Sequence, residues 1–238
     1  MLSLEEQNKW REEYRRKHPE WRPATEVFAG LVRDNLQPDS RLLDVGCGRG
    51  GLLEQLHHPL SQSAGIDPDF VSLAEHRLEE LPRAVAISDH LPFMNCAFDL
   101  VTASWVLEHL PDPLRTIRAI GRVLRPGGAF IFITPNKRHP LTIANRLAGR
   151  LGSIQGRLVA HLYGRAPEDT FSTYYRANTT ENLRALSMAS GLTLESVALI
   201  ADPSYVAFNR LLFHGMSVID GRLSRDRQIH IVGVARKR

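Results

Sequence analysis

The chain has 238 residues, 43% hydrophobic and 24% charged, a globular balance that excludes a disordered, collagenous or coiled-coil protein. Its formal net charge of +4 is a modest excess and does not by itself point to nucleic acid. Two cysteines, Cys47 and Cys96, are too few for a disulfide framework or a Cys-rich zinc site, and they suit a reducing compartment.

Residues 3–17 read as a charged helix, and Pro23 as an early residue of a second helix to about Leu36, so residues 1–37 are expected to form a helical cap. This charged start is not a secretory signal, and no apolar run approaches the roughly 20 residues of a membrane span, so a cytoplasmic placement is expected. Strand-like apolar runs follow at Arg41–Val45, Ser63–Asp67, Ala84–Ser88, Phe98–Ala103 and Ala129–Thr134. Helices are expected between them at Gly50–His57, Phe70–Leu81 and Pro113–Val123. Unbroken apolar strands alternating with helices predict an α/β domain, 38–238, with a mostly parallel sheet covered on both faces. The alternation lapses over an insertion, 135–176. It resumes with a helix at Thr179–Ser190 and strands at Leu192–Leu199 and Gln228–Ala235.

The run from Leu42 to Gly51 is a strand entering glycine turns. Gly46 and Gly48 allow a ligand to approach the main chain, at the carboxyl end of a first strand. Gly46, Gly48 and Gly51 also satisfy the dinucleotide fingerprint, with Asp67 at the ribose-binding distance, so an NAD-dependent oxidoreductase competes. Asp44 shifts the balance. A carboxylate two residues before Gly46 repels a pyrophosphate and welcomes a cationic ligand such as an amino acid ammonium group.

Four blocks carry a family likeness: LLDVGCGRG at 42–50, AGIDPD at 64–69, SDHLPFMNCAFDLVTASWVLEHLPDP at 88–113 and RVLRPGGAFIFITPN at 122–136. With these the sequence resembles the class I S-adenosylmethionine-dependent methyltransferases, in particular the ubiquinone/menaquinone-methylase-like group. The resemblance implies a Rossmann-like seven-stranded sheet ending in an antiparallel hairpin. It implies that Asp44 and the Gly46–Cys47–Gly48 turn hold the methionine end of S-adenosylmethionine. It further implies that Asp67 takes the ribose hydroxyls, Asp89 the adenine amino group, and that Ser104 lines the site. Only His90 separates Asp89 from Leu91-Pro92-Phe93, shorter than in many relatives, so Ser88 or His90 also qualifies for the adenine contact.

On the acceptor side, His109 and Tyr174 are the candidates for catalysis, and His139, Tyr175 and Arg176 for substrate contact. Trp105, Tyr14 and Trp21 are aromatic candidates to face the sulfonium, although core or cap packing is the better account of each. No cluster has metal-ligand spacing, so no metal is expected. The DNA amino-methylase tetrapeptide is absent at Thr102-Ala103-Ser104-Trp105, and nothing resembles an RNA-binding module, so no nucleic-acid partner is expected. From Lys137 to Arg165 there are six basic residues and no acid. Ile143, Leu147, Leu151, Ile154, Leu158 and Leu162 recur there at helical spacing. This basic amphipathic stretch, 141–165, reads as a lid, as a peripheral membrane contact, or as plain packing or a dimer contact, and Val206–Ile219, with Arg210 and the basic residues after Gly221, is a second candidate surface of this kind. The expected function is methyl transfer, with oxygen the favoured nucleophile, to a small-molecule, glycan or lipid-linked, anionic acceptor. The rivals are the NAD enzyme and a catalytically silent S-adenosylmethionine-binding regulatory protein.

Overall fold

A computed structural model describes residues 4–150 and 172–238. Seven helices and seven strands are found among them. They are α1 Leu4–Lys17, α2 Ala24–Asn35, β1 Leu42–Val45, β2 Ser63–Asp67, α3 Phe70–Ala74, β3 Arg83–Val85 and β4 Phe98–Ser104. Next come α4 Pro113–Val123, β5 Leu124–Pro135, α5 Pro140–Arg150, α6 Thr180–Met188, β6 Leu192–Ile200, α7 Arg210–Arg222 and β7 His230–Lys237. The strands form one sheet in the order β3-β2-β1-β4-β5-β7-β6. The first five run parallel, and the last pair supplies the antiparallel hairpin.

β1 is buried at all four residues, and Leu100, Val101, Ile131, Phe132 and Ile133 are likewise enclosed. This two-sided burial is why the strands read as unbroken apolar runs. α4 begins as its sequence dictates. Asp112 caps the Arg115 amide at 3.2 Å, Pro113 occupies the first turn, and Ile117, Ile120 and Val123 turn inward.

Two expected helices are cut short. Gly50–His57 holds only a three-residue 3-10 turn, Leu53–Gln55, and α3 ends at Ala74 instead of Leu81. The third strand also ends at Val85, leaving Asp89 in the following turn. α7 was not foreseen as a helix.

Contacts divide the chain into two compact units. One comprises Met1–Ala24, Pro135–Ser172 and Leu199–His230; the other comprises Thr25–Thr134, Thr173–Ala198 and Ile231–Arg238. The first buries several polar contacts beside its aromatic cluster. The Arg11 guanidinium pairs with buried Asp202 at 2.7 Å, the Trp21 indole N–H donates to the Ala201 carbonyl, and Asn136 donates to the carbonyls of Asp226 and Gln228. Burial holds His230 down to about 4, so it stays neutral there. Of the predicted amphipathic stripe, Ile143 and Leu147 lie on α5; Leu151, Ile154, Leu158 and Leu162 lie outside the described residues.

Candidate functional site

The strand order reverses between β1 and β4, and the carboxyl ends of these strands flank the resulting crevice. Register places Asp44 of β1 directly opposite Thr102 of β4, and the Thr102 hydroxyl donates to Asp44 Oδ1 at 2.7 Å. Asp44 is enclosed, and burial lifts it to about 7, against the lowering effect of the Thr102 bond. The charges that act on it, Glu54 and Asp67, are both negative and raise it further.

The turn after β1 is pinned to β2. The Gly46 and Cys47 amides both donate to the Ile66 carbonyl, at 2.8 and 3.0 Å. Gly46 has φ +74, and a Cβ there would meet Val106 Cγ2 at 2.3 Å, so no other residue fits. Cys47 is buried, and burial with Asp44 and Asp67 nearby pushes its thiol up to about 12, so it is no nucleophile.

A side-chain clamp stands where a helix was expected. Glu54 accepts the Gly51 amide at 2.5 Å through one oxygen and the Arg77 guanidinium at 2.8 Å through the other. Arg49 pairs with Glu75 at 2.5 Å, and the Arg77 amide donates to the Arg49 carbonyl at 3.2 Å. Gly50 (φ +97) is wedged between Glu54 and the His76 ring, and a Cβ there would sit 2.5 Å from Glu54 Oε1. The segment 75–77 serves this clamp instead of prolonging α3. Hydrogen bonds to a charged group are worth about 1.5–3 kcal/mol each. Glu54→Ala is therefore expected to speed amide hydrogen exchange at Gly50 and Gly51 by ~10-fold or more, with Leu43 and Val45 unchanged. Exchange measured by NMR or mass spectrometry checks this.

Asp67 ends β2, where its two oxygens accept the Gly48 amide at 3.0 Å and the Asp69 amide at 2.9 Å. Burial raises its pKa, and those two bonds oppose the rise. Asp89 is bonded to His90 Nδ1 at 2.9 Å, and Ser88 reaches Thr116 at 3.1 Å. Ser104 is half-buried at the end of β4, and Trp105 follows it with φ +58, its amide donating to the Ile133 carbonyl at 3.0 Å. That left-handed residue turns the chain sharply at the crevice.

A second cluster joins the loop after β4 to the chain preceding α6. The Glu108 carbonyl accepts the Tyr174 amide at 2.7 Å and the Tyr175 amide at 3.2 Å. The enclosed Glu108 carboxylate accepts the Thr134 hydroxyl at 3.0 Å, and Asn178 donates to Thr134 Oγ1 at 2.6 Å. His109 Nε2 is 4.0 Å from Glu108 Oε1. Arg176 bonds the Pro111 carbonyl, and its guanidinium lies 5.6 Å from the centre of the half-exposed Tyr174 ring. The structure thus gathers Tyr174, Tyr175 and Arg176 around the loop that carries His109. Glu108, Thr134 and Asn178 went unnoticed in the sequence, where only the Glu108-His109 adjacency hinted at them.

His139 is engaged within its own unit. It is fully buried, accepts the Leu141 amide on Nδ1 at 3.2 Å and faces Asp220 through Nε2 at 3.2 Å. Both ring nitrogens are engaged inside the fold, which leaves none for a substrate. Tyr14 and Trp21 meet edge to face at 5.0 Å in the aromatic packing around Phe213. Their role there is packing.

A protein family described as "Methyltransferase domain" matches residues 11–197. A ubiquinone biosynthesis O-methyltransferase from Xanthomonas campestris pv. campestris (strain B100) is 38% identical over 119 residues, 47% of this chain and 49% of that protein. One of the same name from Chromobacterium violaceum is 32% identical over 165 residues, 66% of each. The chain thus spans about half the length of the first of these curated relatives. Among solved structures, an S-adenosylmethionine-dependent methyltransferase from Mesorhizobium loti superposes with a TM-score of 0.57 at 20% identity. That match covers 87% of this chain and 96% of the other, and it speaks to the fold alone.

Proposed function

The chain belongs to the methyltransferase-domain family, and on that premise we propose that it methylates a hydroxyl oxygen of a small, quinone-like acceptor, with S-adenosylmethionine as donor. Asp44 carries the reading. An enclosed carboxylate whose acting charges are both negative calls for a cation, and the ammonium of the donor's amino acid end supplies one. Asp67 suits the ribose hydroxyls. Each of its oxygens accepts one amide and has a lone pair left for a second donor. The backbone of the Gly46–Gly48 turn and Ser104 would line the donor's amino acid part, and Asp89 the adenine.

The sulfonium donor brings an already electrophilic methyl group, so the protein's task is alignment and proton removal. His109 takes the hydroxyl proton at Nε2, and the neighbouring Glu108 carboxylate favours the resulting imidazolium. Tyr174, Tyr175 and Arg176 orient the acceptor, and the guanidinium suits an anionic one. Oxygen as the accepting atom is supported by the names of the ubiquinone-pathway relatives. Tyr174→Phe and Arg176→Ala are each expected to raise the acceptor KM by ~10-fold, the worth of about one hydrogen bond at 1.4 kcal/mol. Donor affinity stays unchanged in steady-state kinetics and calorimetry.

The nicotinamide alternative loses ground twice. Asp44 opposes a pyrophosphate, and the helix whose N-terminus would receive it is reduced to a 3-10 turn. Two free cysteines, one buried and one exposed, suit the reducing setting of a cytoplasmic enzyme. Isothermal titration of the chain with S-adenosylhomocysteine and with NAD decides the donor question. Heat with the first alone is expected; heat with NAD alone defeats the reading. Turnover of labelled methyl donor with hydroxyquinones then separates an enzyme from a silent binder.

A further inference from the structure

α7 is apolar on both of its faces. Inward, Phe213 and Met216 are buried with Asp220, and Phe213 packs with Tyr14 and Ala207, flanked by Trp10 and Trp21. Outward, Leu211 is 84% exposed, Leu212, Val218 and Ile219 are about half exposed, and Phe208 stands open just before the helix. Positions 211, 212, 215, 218 and 219 share one helical face, with Gly215 adding no polar group. A surface helix ordinarily carries charged and polar side chains there. In the same unit α5 exposes Ile143 and Leu147, one turn apart, beside Arg146.

The charge around this stripe is mostly positive. Arg210 and Arg222 are exposed at the two ends of α7, and Arg225 and Arg227 are exposed just after it. Asp220, the acid of the helix, is on the buried face. Asp226 is exposed and pairs with Arg138 at 3.4 Å; on the flank, His214 faces Glu13 at 3.9 Å.

We propose that this face of α7 is a docking surface for an anionic lipid bilayer. The leucine, valine and isoleucine side chains enter the acyl boundary while the arginines meet lipid phosphates. No helix among the described residues is long and apolar enough to cross a membrane, so the contact lies in the plane of the interface. A second copy of the chain is the competing cover for such a stripe, and the charges oppose it. Antiparallel pairing of α7 about a twofold axis brings Arg210 of one copy against Arg222 of the other, at both ends. A bilayer of anionic lipids turns those same charges into attractions.

The test reads binding and needs no acceptor. The full chain is sedimented with vesicles of phosphatidylcholine alone or mixed with phosphatidylglycerol. Binding to the mixed vesicles is expected to be ~10-fold or more tighter, the scale of a few surface arginines. Leu211→Glu with Ile219→Glu should abolish it, and Arg222→Ala with Arg225→Ala should remove only the preference for phosphatidylglycerol. Leu211 is so exposed that Tm and S-adenosylhomocysteine affinity are expected to hold. Should the double variant unfold, Leu211→Ser alone carries the same reading. Equal or no sedimentation with both vesicles overturns the proposal, as does undiminished binding by the glutamate variant. A dimer in light scattering that Leu211→Glu dissociates assigns the face to a second copy and overturns it too. Titration with S-adenosylhomocysteine on the same preparations reports separately on the proposed donor site.

Discussion

Asp44→Asn is expected to make the protein more stable and less able to bind its donor. Burial lifts Asp44 to about 7 from an ordinary 3.8. At about 1.4 kcal/mol per unit, carrying that carboxylate ionised costs the fold on the order of 4 kcal/mol above neutrality. The sign follows from where protons sit. Below the ordinary value both folded and unfolded chains are protonated and nothing is lost. Between there and about 7 only the folded chain keeps its proton, so stability falls as pH rises. Above 7 the loss is complete. Asparagine preserves an acceptor for Thr102 and removes the charge. At pH 8 its melting temperature should exceed that of the parent by ~10 °C, at about 2–4 °C per kcal/mol for this size. At pH 5 the gap should be less than half as large.

Donor binding runs the opposite way. The ammonium needs Asp44 ionised, so affinity should weaken by ~10-fold between pH 8 and pH 6, with proton uptake by the free protein on acidification. Methylthioadenosine, which lacks the amino acid end, should show no such dependence. The asparagine variant should lose ~10–100-fold in S-adenosylhomocysteine affinity, the worth of one charge-assisted hydrogen bond. Calorimetry across pH tests all three. A variant that gains no stability and keeps its affinity would falsify the role given to Asp44.

Glu108→Ala is expected to disable the acceptor side while sparing the donor. The Glu108 carboxylate holds Thr134, Thr134 holds Asn178, and Asn178 precedes the Thr179 cap of α6. Removing the carboxylate strands buried polar groups at about 1–3 kcal/mol each. A Tm loss of ~5 °C should follow. It also loosens Asn178, two residues beyond Arg176, while the Glu108 carbonyl still holds the Tyr174 and Tyr175 amides, so the acceptor KM should rise by up to ~10-fold. Glu108→Gln keeps the acceptor oxygen for Thr134 and should recover Tm and most of KM. What it should not recover is the negative charge 4.0 Å from His109 Nε2, so kcat should stay below that of the parent. Equal damage to donor affinity and acceptor KM would contradict this division of labour.

The family likeness was legible because it rests on local patterns: strands buried on both faces, and turns whose glycines answer to backbone angles. Asp44, Gly46, Gly48 and Asp67 stood out for the same reason, each standing at a fixed offset within its own block. Where sequence reading failed, a long-range contact overrode a local preference. Residues 50–57 looked helical, but Glu54 spends its carboxylate on Gly51 and Arg77, and Gly50 lies in a left-handed conformation beside His76. α7 is absent from the predicted helices because apolar residues on both faces blur the helical period. His139 looked like a substrate ligand because it follows a strand, yet Asp220, 81 residues on, claims its ring.

By itself the amino-acid order determined the sheet, the crevice and the acids at its mouth, since alternation, burial and turn chemistry act between near neighbours. Only the tertiary structure decided what those acids are worth. The proton affinity of Asp44 depends on enclosure by strands distant in the chain, and the value of Glu108 on Thr134 and Asn178 arriving beside it. Enclosure and distant pairing are properties of the packed chain, and no local pattern encodes them.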